Sequence, residues 1–290
     1  MKLWAISDLH LACPANREAL EQLAPKPDDW LLVAGDVGET QGQTSWAMSS
    51  LAARFAKVFW VPGNHDLWTV RDPQGMLRGD AKYRRLVEIC RSYGVHTPED
   101  PYVEWPEPGV AGERYVIAPL FLLYDYSFRP DEIPAEQAVD WAAEWGLRLA
   151  DEDVLHADPF PDRAAWCADR LRYTERRLQA VATKGLRPIL VNHFPLRRDR
   201  LLRSRLQRLA IWCGTSATED WHTRFGAAAV VYGHLHVKRT HWRDGVRFEE
   251  VSLGYPSDWD QERGLGDYLR QILPDPSPAA FLAATRRGDD

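Results

Sequence analysis

Cysteine is scarce in this chain: four in 290 residues, Cys13, Cys90, Cys167 and Cys213, with no Cys-x-x-Cys pair among them. That excludes a cysteine-built zinc site and fits reduced, buried thiols of a cytosolic protein better than a disulfide framework. Positive charge is not in excess either. The net charge of -6 excludes a general nucleic-acid binder, because affinity for phosphate backbones needs a basic surface. No apolar run approaches the roughly 18 residues of a membrane span, and the first apolar stretch, broken by Asp8 and His10, is no signal-peptide core. These absences together predict a cytoplasmic protein that does not engage a membrane. Internal repeats and low-complexity linkers are also missing, which favours one domain over residues 1–273, with a tail from Pro274 to Asp290 expected to fray.

What is present is ordinary in bulk, with 45% hydrophobic and 27% charged residues, as in soluble globular enzymes. Thirteen tryptophans are many; most are expected in the core and some in a pocket. The informative feature is where the apolar runs stop. Leu3 to Ile6 leads into Ser7-Asp8-Leu9-His10, Trp30 to Ala34 into Gly35-Asp36, Val58 to Val61 into Pro62-Gly63-Asn64-His65-Asp66, Pro188 to Val191 into Asn192-His193, and Ala227 to Tyr232 into Gly233-His234-Leu235-His236. Short apolar runs of this kind are buried strands, and open α/β sheets bind ligands beyond the carboxyl ends of their strands. In His234-Leu235-His236 the two imidazoles lie two residues apart and can approach one centre.

The intervening segments predict helices over Ala15–Ala24, Thr44–Phe55, Asp80–Tyr93 and Trp166–Ala182, and further strands over Arg114–Leu120 and Arg247–Leu253. Taken alone, this βαβαβ rhythm reads as one doubly wound sheet. Residues 129–163 change character, with ten acids against three arginines and with Trp141 and Trp145 at helical spacing; such an insert is a solvated excursion or a cap over the site. Arg197 to Arg208 carries six arginines and one acid, starting four residues after His193. A basic patch there favours a negatively charged substrate or partner. His96, His156, His222 and His241 match no motif and are expected to serve packing or surface.

The groups at the strand ends are Asp8, His10, Asp36, Asn64, His65, His193, His234 and His236. Mixed carboxylate, imidazole and amide ligands suit manganese, iron or zinc rather than calcium. They are too many for one closed four-ligand site and enough for two cations sharing a carboxylate, the arrangement that clamps an in-line displacement at phosphorus.

In order and composition these blocks resemble the calcineurin-like metallophosphoesterases, an α/β family built as a central sandwich of two mixed β-sheets flanked by helices. The resemblance implies that Asp8, His10, Asp36 and His236 hold one metal and that Asp36, Asn64, His193 and His234 hold the other. It further implies that His65 faces the phosphate as general acid or charge stabiliser, paired with Asp66 or another carboxylate. The 127 residues between His65 and His193 exceed what compact members need, which leaves the substrate open. Phe121 to Phe128, Asn192 to Leu196, Trp212 to Thr215 and Arg247 to Pro256 are similar to the branch that removes the phosphopantetheine arm from acyl carrier proteins. That branch implies an acidic carrier protein as partner, with Arg197 and Arg198 beside Asn64 and His65 in substrate binding. A small-molecule phosphohydrolase acting on nucleotides, cyclic nucleotides or lipid precursors, and a non-catalytic scaffold, are the competing expectations.

Overall fold

The computed structural model describes residues 1–109, 112–199 and 207–275. Its strands are β1 (Leu3–Ile6), β2 (Lys26–Val33), β3 (Phe55–Trp60), β4 (Val103–Glu104), β5 (Tyr115–Pro119), β6 (Arg187–Val191), β7 (Ala229–Tyr232), β8 (Thr240–Arg243), β9 (Val246–Glu250) and β10 (Arg270–Leu273). The helices are α1 (Pro14–Glu21), α2 (Gln41–Ala52), α3 (Asn64–Leu67), α4 (Gly79–Ser92), α5 (Ala138–Ala143), α6 (Asp151–Val154), α7 (Arg163–Ala182) and α8 (Trp221–Arg224). Two mixed sheets result, one in the order β10-β1-β2-β3 and the other in the order β4-β5-β6-β7-β9-β8. The sandwich implied by the resemblance is therefore what the chain forms, and the single doubly wound sheet suggested by strand rhythm alone is not.

Alternation explains the layers. Leu3, Ala5, Trp30, Leu32, Ile117, Ile189, Val191, Ala229 and Val231 pack between the sheets. Their neighbours Ile6, Leu31, Val33 and Trp60 face outward onto α2 and α4 residues such as Met48, Leu51, Leu86 and Cys90. Ala118, Leu190, Val230 and Phe248 pack on Leu178 of α7 and on Trp221. Each central strand is thus covered on both faces, which is why it reads as a continuous apolar run rather than an alternating one.

Helix starts follow their caps. Thr40 and Gln43 form a reciprocal pair, with the Gln43 amide donating to Thr40 Oγ1 at 3.2 Å and the Thr40 amide to Gln43 Oε1 at 3.1 Å, so α2 begins three residues before the expected Thr44. Asp162 accepts from the Ala165 amide at 2.7 Å and sets the start of α7.

Register positions the site. Ile6, Val33 and Trp60 lie side by side across β1, β2 and β3, and Val191 lies beside Val231 across β6 and β7. The residues that follow each strand therefore emerge at one end. The sheets are joined at that end by a parallel bridge between Ser7 and Ser252, with the Leu253 amide donating to the Ser7 carbonyl at 2.8 Å.

Of the insert, most acids are exposed, but Asp151 is buried and Glu152 is nearly so. Trp141 lies in α5 and Trp145 just beyond it, and the Arg208 guanidinium sits 4.5 Å from one ring and 5.0 Å from the other. Residues 200–206 of the arginine run, and the tail from 276, lie outside the described residues. All four cysteines are free thiols, and only Cys13 is not fully buried. Among the described residues no helix is long and apolar enough to cross a membrane.

Candidate metal centre

Backbone geometry marks the centre before any side chain is considered. Among the described residues eight non-glycine positions have positive φ, and five of them are Asp8 (53°), His10 (42°), Asp36 (52°), His234 (71°) and His236 (55°). A left-handed backbone costs an L-residue roughly 1–2 kcal/mol, so the fold stores strain where it turns these side chains back into the crevice. Two glycines make room for them. A Cβ at Gly63 would lie 2.1 Å from Asp36 Oδ1, and one at Gly233 would lie 2.3 Å from Asp8 Oδ2.

Asp8 is fully buried. Its Oδ2 accepts from the Ser7 hydroxyl at 2.5 Å, the Ser252 hydroxyl at 2.8 Å and the His234 amide at 3.0 Å. Its Oδ1 is left facing His236 Nε2 at 3.2 Å and His10 Nε2 at 3.8 Å. His236 is oriented from behind, with Nδ1 3.0 Å from Asp258 Oδ2, the carboxylate–histidine arrangement that aims the other ring nitrogen at a cation. His10 Nε2 meets His236 Nε2 at 3.2 Å, and the His10 ring stacks on Tyr255 with centroids 4.4 Å apart.

The second half is built around Asp36. His193 has Nδ1 2.9 Å from the Ala34 carbonyl; a carbonyl only accepts, so Nδ1 carries the proton. Burial lowers the His193 pKa, which leaves Nε2 as a bare lone pair. That lone pair faces Asn64 Oδ1 at 3.1 Å and Asp36 Oδ2 at 3.4 Å. Three acceptors this close repel one another unless a cation or a proton lies among them. The donor set therefore fits the metals that the residue types imply, and three groups (Asp8, His10 and His236; His10, Asp36 and His65; Asp8, Asp36 and His193) each have their ligand atoms within 4.8 Å of one another.

Electrostatics agree. Burial raises the Asp36 pKa well above the usual range, with the charges of Asp8 and Asp66 adding to it. Burial also pushes Asp8 up, but the His236 hydrogen bond and the nearby imidazoles hold it well below the usual range. Burial drives His10 down to about 3, so its ring is neutral. Burial lowers His193 and His234 as well, while at His236 burial is outweighed by the bonds to Asp8 and Asp258, which raise its pKa. Two buried carboxylates among these rings form a site suited to positive charge. His234 is the exception in geometry: it lies in none of those three groups, its amide binds Asp8, and its ring packs 5.2 Å from His193 and 4.8 Å from Phe194.

His65 sits at the mouth, its amide donating to Asp36 Oδ1 at 2.9 Å and its Nε2 4.0 Å from Asp36 Oδ2. Its ring lies against Trp68 with centroids 3.6 Å apart. The carboxylate opposite Nδ1 is Glu39, at 3.5 Å, and not Asp66. Asp66 instead accepts from four backbone amides, those of Asp36 and Gly63 at 2.9 Å, Val37 at 3.1 Å and Gly38 at 3.2 Å. With all its acceptor sites turned to the chain, it ties the end of β2 to α3 and cannot serve His65.

A cleft of about 280 Å³ opens over the cluster, lined by His10, Asp36, Asn64, His65, His234 and His236 together with Trp68, Tyr255 and Leu149 to Asp151 of the insert. The insert is thus a wall of the site in this part rather than only a solvated excursion. Arg197 and Arg198 do not line the cleft. They pair with Asp199 at 2.9 Å and with Asp131 at 3.3 Å and Glu219 at 3.6 Å. Of the unassigned histidines, His96 stacks on Phe59, His241 on Phe248, and His222 pairs with Asp244 at 2.9 Å; His156 lines a separate cavity of about 560 Å³. Sequence reasoning missed Glu39, Asp151, Ser252 and Asp258, none of which follows directly on an apolar run that could have flagged it.

Comparison with known proteins now adds to this geometry. The family model for the calcineurin-like phosphoesterases matches residues 1–238. The [acyl-carrier-protein] phosphodiesterase PptH of Mycobacterium tuberculosis is 48% identical over 281 residues, which cover 96% of this chain and 85% of that protein. The crystal structure of phosphopantetheinyl hydrolase (PptH) from Mycobacterium tuberculosis superposes with a TM-score of 0.88 at 47% identity, covering 95% of this chain and 96% of that one. With the family model matched across every ligand-bearing strand end and a relative this similar over nearly all of the chain, the chain belongs to the calcineurin-like phosphoesterase family and is a hydrolase.

Proposed function

We propose that this protein is a dinuclear metal-dependent phosphodiesterase that removes the phosphopantetheine arm from acyl carrier protein. The observation that carries the substrate is the 48% identity to a carrier-protein phosphodiesterase across 96% of the chain. The wall of the cleft built by the insert lies within the same stretch of similarity. The catalytic unit is one domain over residues 1–273, with 129–163 inserted as part of the pocket.

In this reading Asp8, His10, Asp36 and His236 hold one cation, and Asp36, Asn64, His193 and His234 the other. The donor set favours manganese or iron, with zinc next. Bound there, the pair supplies charge to the phosphoryl oxygens and acidifies a water. The remaining work belongs to side chains. Water attacks phosphorus, the bond to the carrier's serine oxygen breaks, and that oxygen must leave with a proton. His65, at the mouth with Glu39 opposite Nδ1, is placed to hold that proton on Nε2 and deliver it. Trp68, lying against the His65 ring, and Tyr255, stacked on His10, narrow the approach to that position. Arg197 and Arg198, already paired with acids of the same chain, would exchange those partners for carboxylates of the carrier.

Incubating holo acyl carrier protein with the enzyme and Mn(II) should lower the carrier's mass by one phosphopantetheine. An unchanged carrier, while nucleotides or small diesters turn over, would support the small-molecule phosphohydrolase instead. Freshly purified protein without metal, inert on adding Mn(II), would support the scaffold.

A further inference from the structure

Asp151 belongs to the insert, lies 87 residues from Asn64 in sequence, and is fully buried. Its Oδ1 accepts from Asn64 Nδ2 at 3.1 Å and from Trp68 Nε1 at 2.6 Å, and its Oδ2 accepts from the Tyr124 hydroxyl at 3.1 Å. An amide has two faces of similar size, one accepting and one donating, and only its partners decide which way it points. A carboxylate accepts only. By taking Nδ2, Asp151 fixes Oδ1 on the opposite side, where it meets the bare His193 Nε2 at 3.1 Å. The flipped amide would set two acceptor oxygens against each other on the Asp151 side and a donor toward the cation position.

We propose that Asp151 is a positioning residue that orients Asn64 for the metal shared with Asp36 and His193, so that the insert completes the metal centre. This rests on the two-metal reading above. The backbone of α6 is held independently of the carboxylate. Arg163 Nη1 donates to the Asp151 carbonyl at 3.1 Å and the Leu155 carbonyl at 2.9 Å, and the Thr69 amide donates to the Val154 carbonyl at 2.8 Å. Removing the carboxylate therefore leaves the wall standing and frees the Asn64 amide together with the Trp68 N–H and the Tyr124 hydroxyl, of which only Asn64 faces the cation position.

The test uses the full chain, stripped of metal by a chelator and titrated with Co(II), followed by visible absorption and calorimetry. The wild type should bind two ions. Asp151→Ala should weaken the second by about 10–100-fold, the usual effect of losing a partner behind a metal ligand, with the first unchanged. Asp151→Asn keeps an oxygen for Asn64 Nδ2 and Trp68 Nε1, and should bring the second affinity back to within about threefold. Tyr124→Phe loosens the same carboxylate without touching Asn64 and should leave both affinities alone. Should Asp151→Ala not fold, the Zn(II)-loaded wild type decides: the Asn64 side-chain amide protons, assigned by their loss in Asn64→Asp, should exchange slowly. Wild-type binding of both ions by Asp151→Ala, equal weakening of both ions, or fast exchange of those protons would each overturn the proposal. A wild type that binds no Co(II) would instead remove the two-metal reading itself.

Discussion

Asp66→Ala is the most informative single change, because it separates the frame of the site from its chemistry. The carboxylate is 1% exposed and accepts from the amides of Asp36, Gly63, Val37 and Gly38. Each hydrogen bond to a charged group contributes about 1.5–3 kcal/mol, and each buried N–H left without an acceptor costs about 1–3 kcal/mol. Water entering the vacated space will serve some of the four, so the loss should be about 3–5 kcal/mol rather than the full sum. That is a large share of the roughly 5–15 kcal/mol that holds a domain folded. Asp66→Asn should recover at most half, since its oxygen can serve Val37 and Gly38 while its amide meets the N–H groups of Asp36 and Gly63 head-on. Urea unfolding of the metal-free protein at neutral pH measures both, above the value of about 6 to which burial pushes the Asp66 carboxyl. A loss below about 1 kcal/mol for alanine, or an asparagine variant as stable as wild type, would refute the assignment of Asp66 to the frame.

Two further expectations concern the cleft and its surroundings. Asp36→Ala should empty both metal positions by elemental analysis, whereas His65→Ala should keep them and lose about 10²–10⁴-fold in turnover, the usual worth of an acid–base group; loss of metal from His65→Ala would place it among the ligands. Lys82 is buried with its ammonium on the carbonyls of Glu39 and Trp68, and burial lowers its pKa to about 8 from 10.5. Below pH 8 both folded and unfolded chains carry the proton. Between about 8 and 10.5 only the unfolded chain keeps it, so this group's contribution to stability rises with pH. Relative to Lys82→Met, the wild type should gain up to about 3 kcal/mol across that window; a constant difference in unfolding free energy would contradict the shift.

Much of the centre was legible because strand ends are local: an apolar run and the residue after it lie together in sequence, and register then lines the ends up. Asp8, Asp36, Asn64, His193 and His236 emerged at one crevice for that reason. What stayed hidden depends on contacts that no local pattern encodes. The choice of Glu39 over Asp66 as the carboxylate facing His65 turns on which acid the backbone amides of residues 36–38 capture. Asp151 and Asp258 look like surface acids until the chain is folded, one within an acidic stretch and the other in a turn. β10 was missed because Arg270-Gln271 is polar and only Ile272 and Leu273 are buried. The division into two sheets was equally invisible from strand rhythm, since parallel strands with helical crossovers look alike in one sheet or two.

The pairing of β10 with β1, Leu273 opposite Leu3, has a consequence for synthesis on the ribosome. Until about residue 273 has left the exit tunnel, the first strand is an open edge with its row of amides and carbonyls unmatched, the kind of surface on which nascent chains aggregate. Asp8 and His10, made among the earliest residues, must wait for His236, Ser252 and finally β10 before they are held in place. On the proposed two-metal reading, cation capture would therefore come late in this protein's synthesis, and C-terminal shortening past Leu273 should be felt first at the opposite end of the chain.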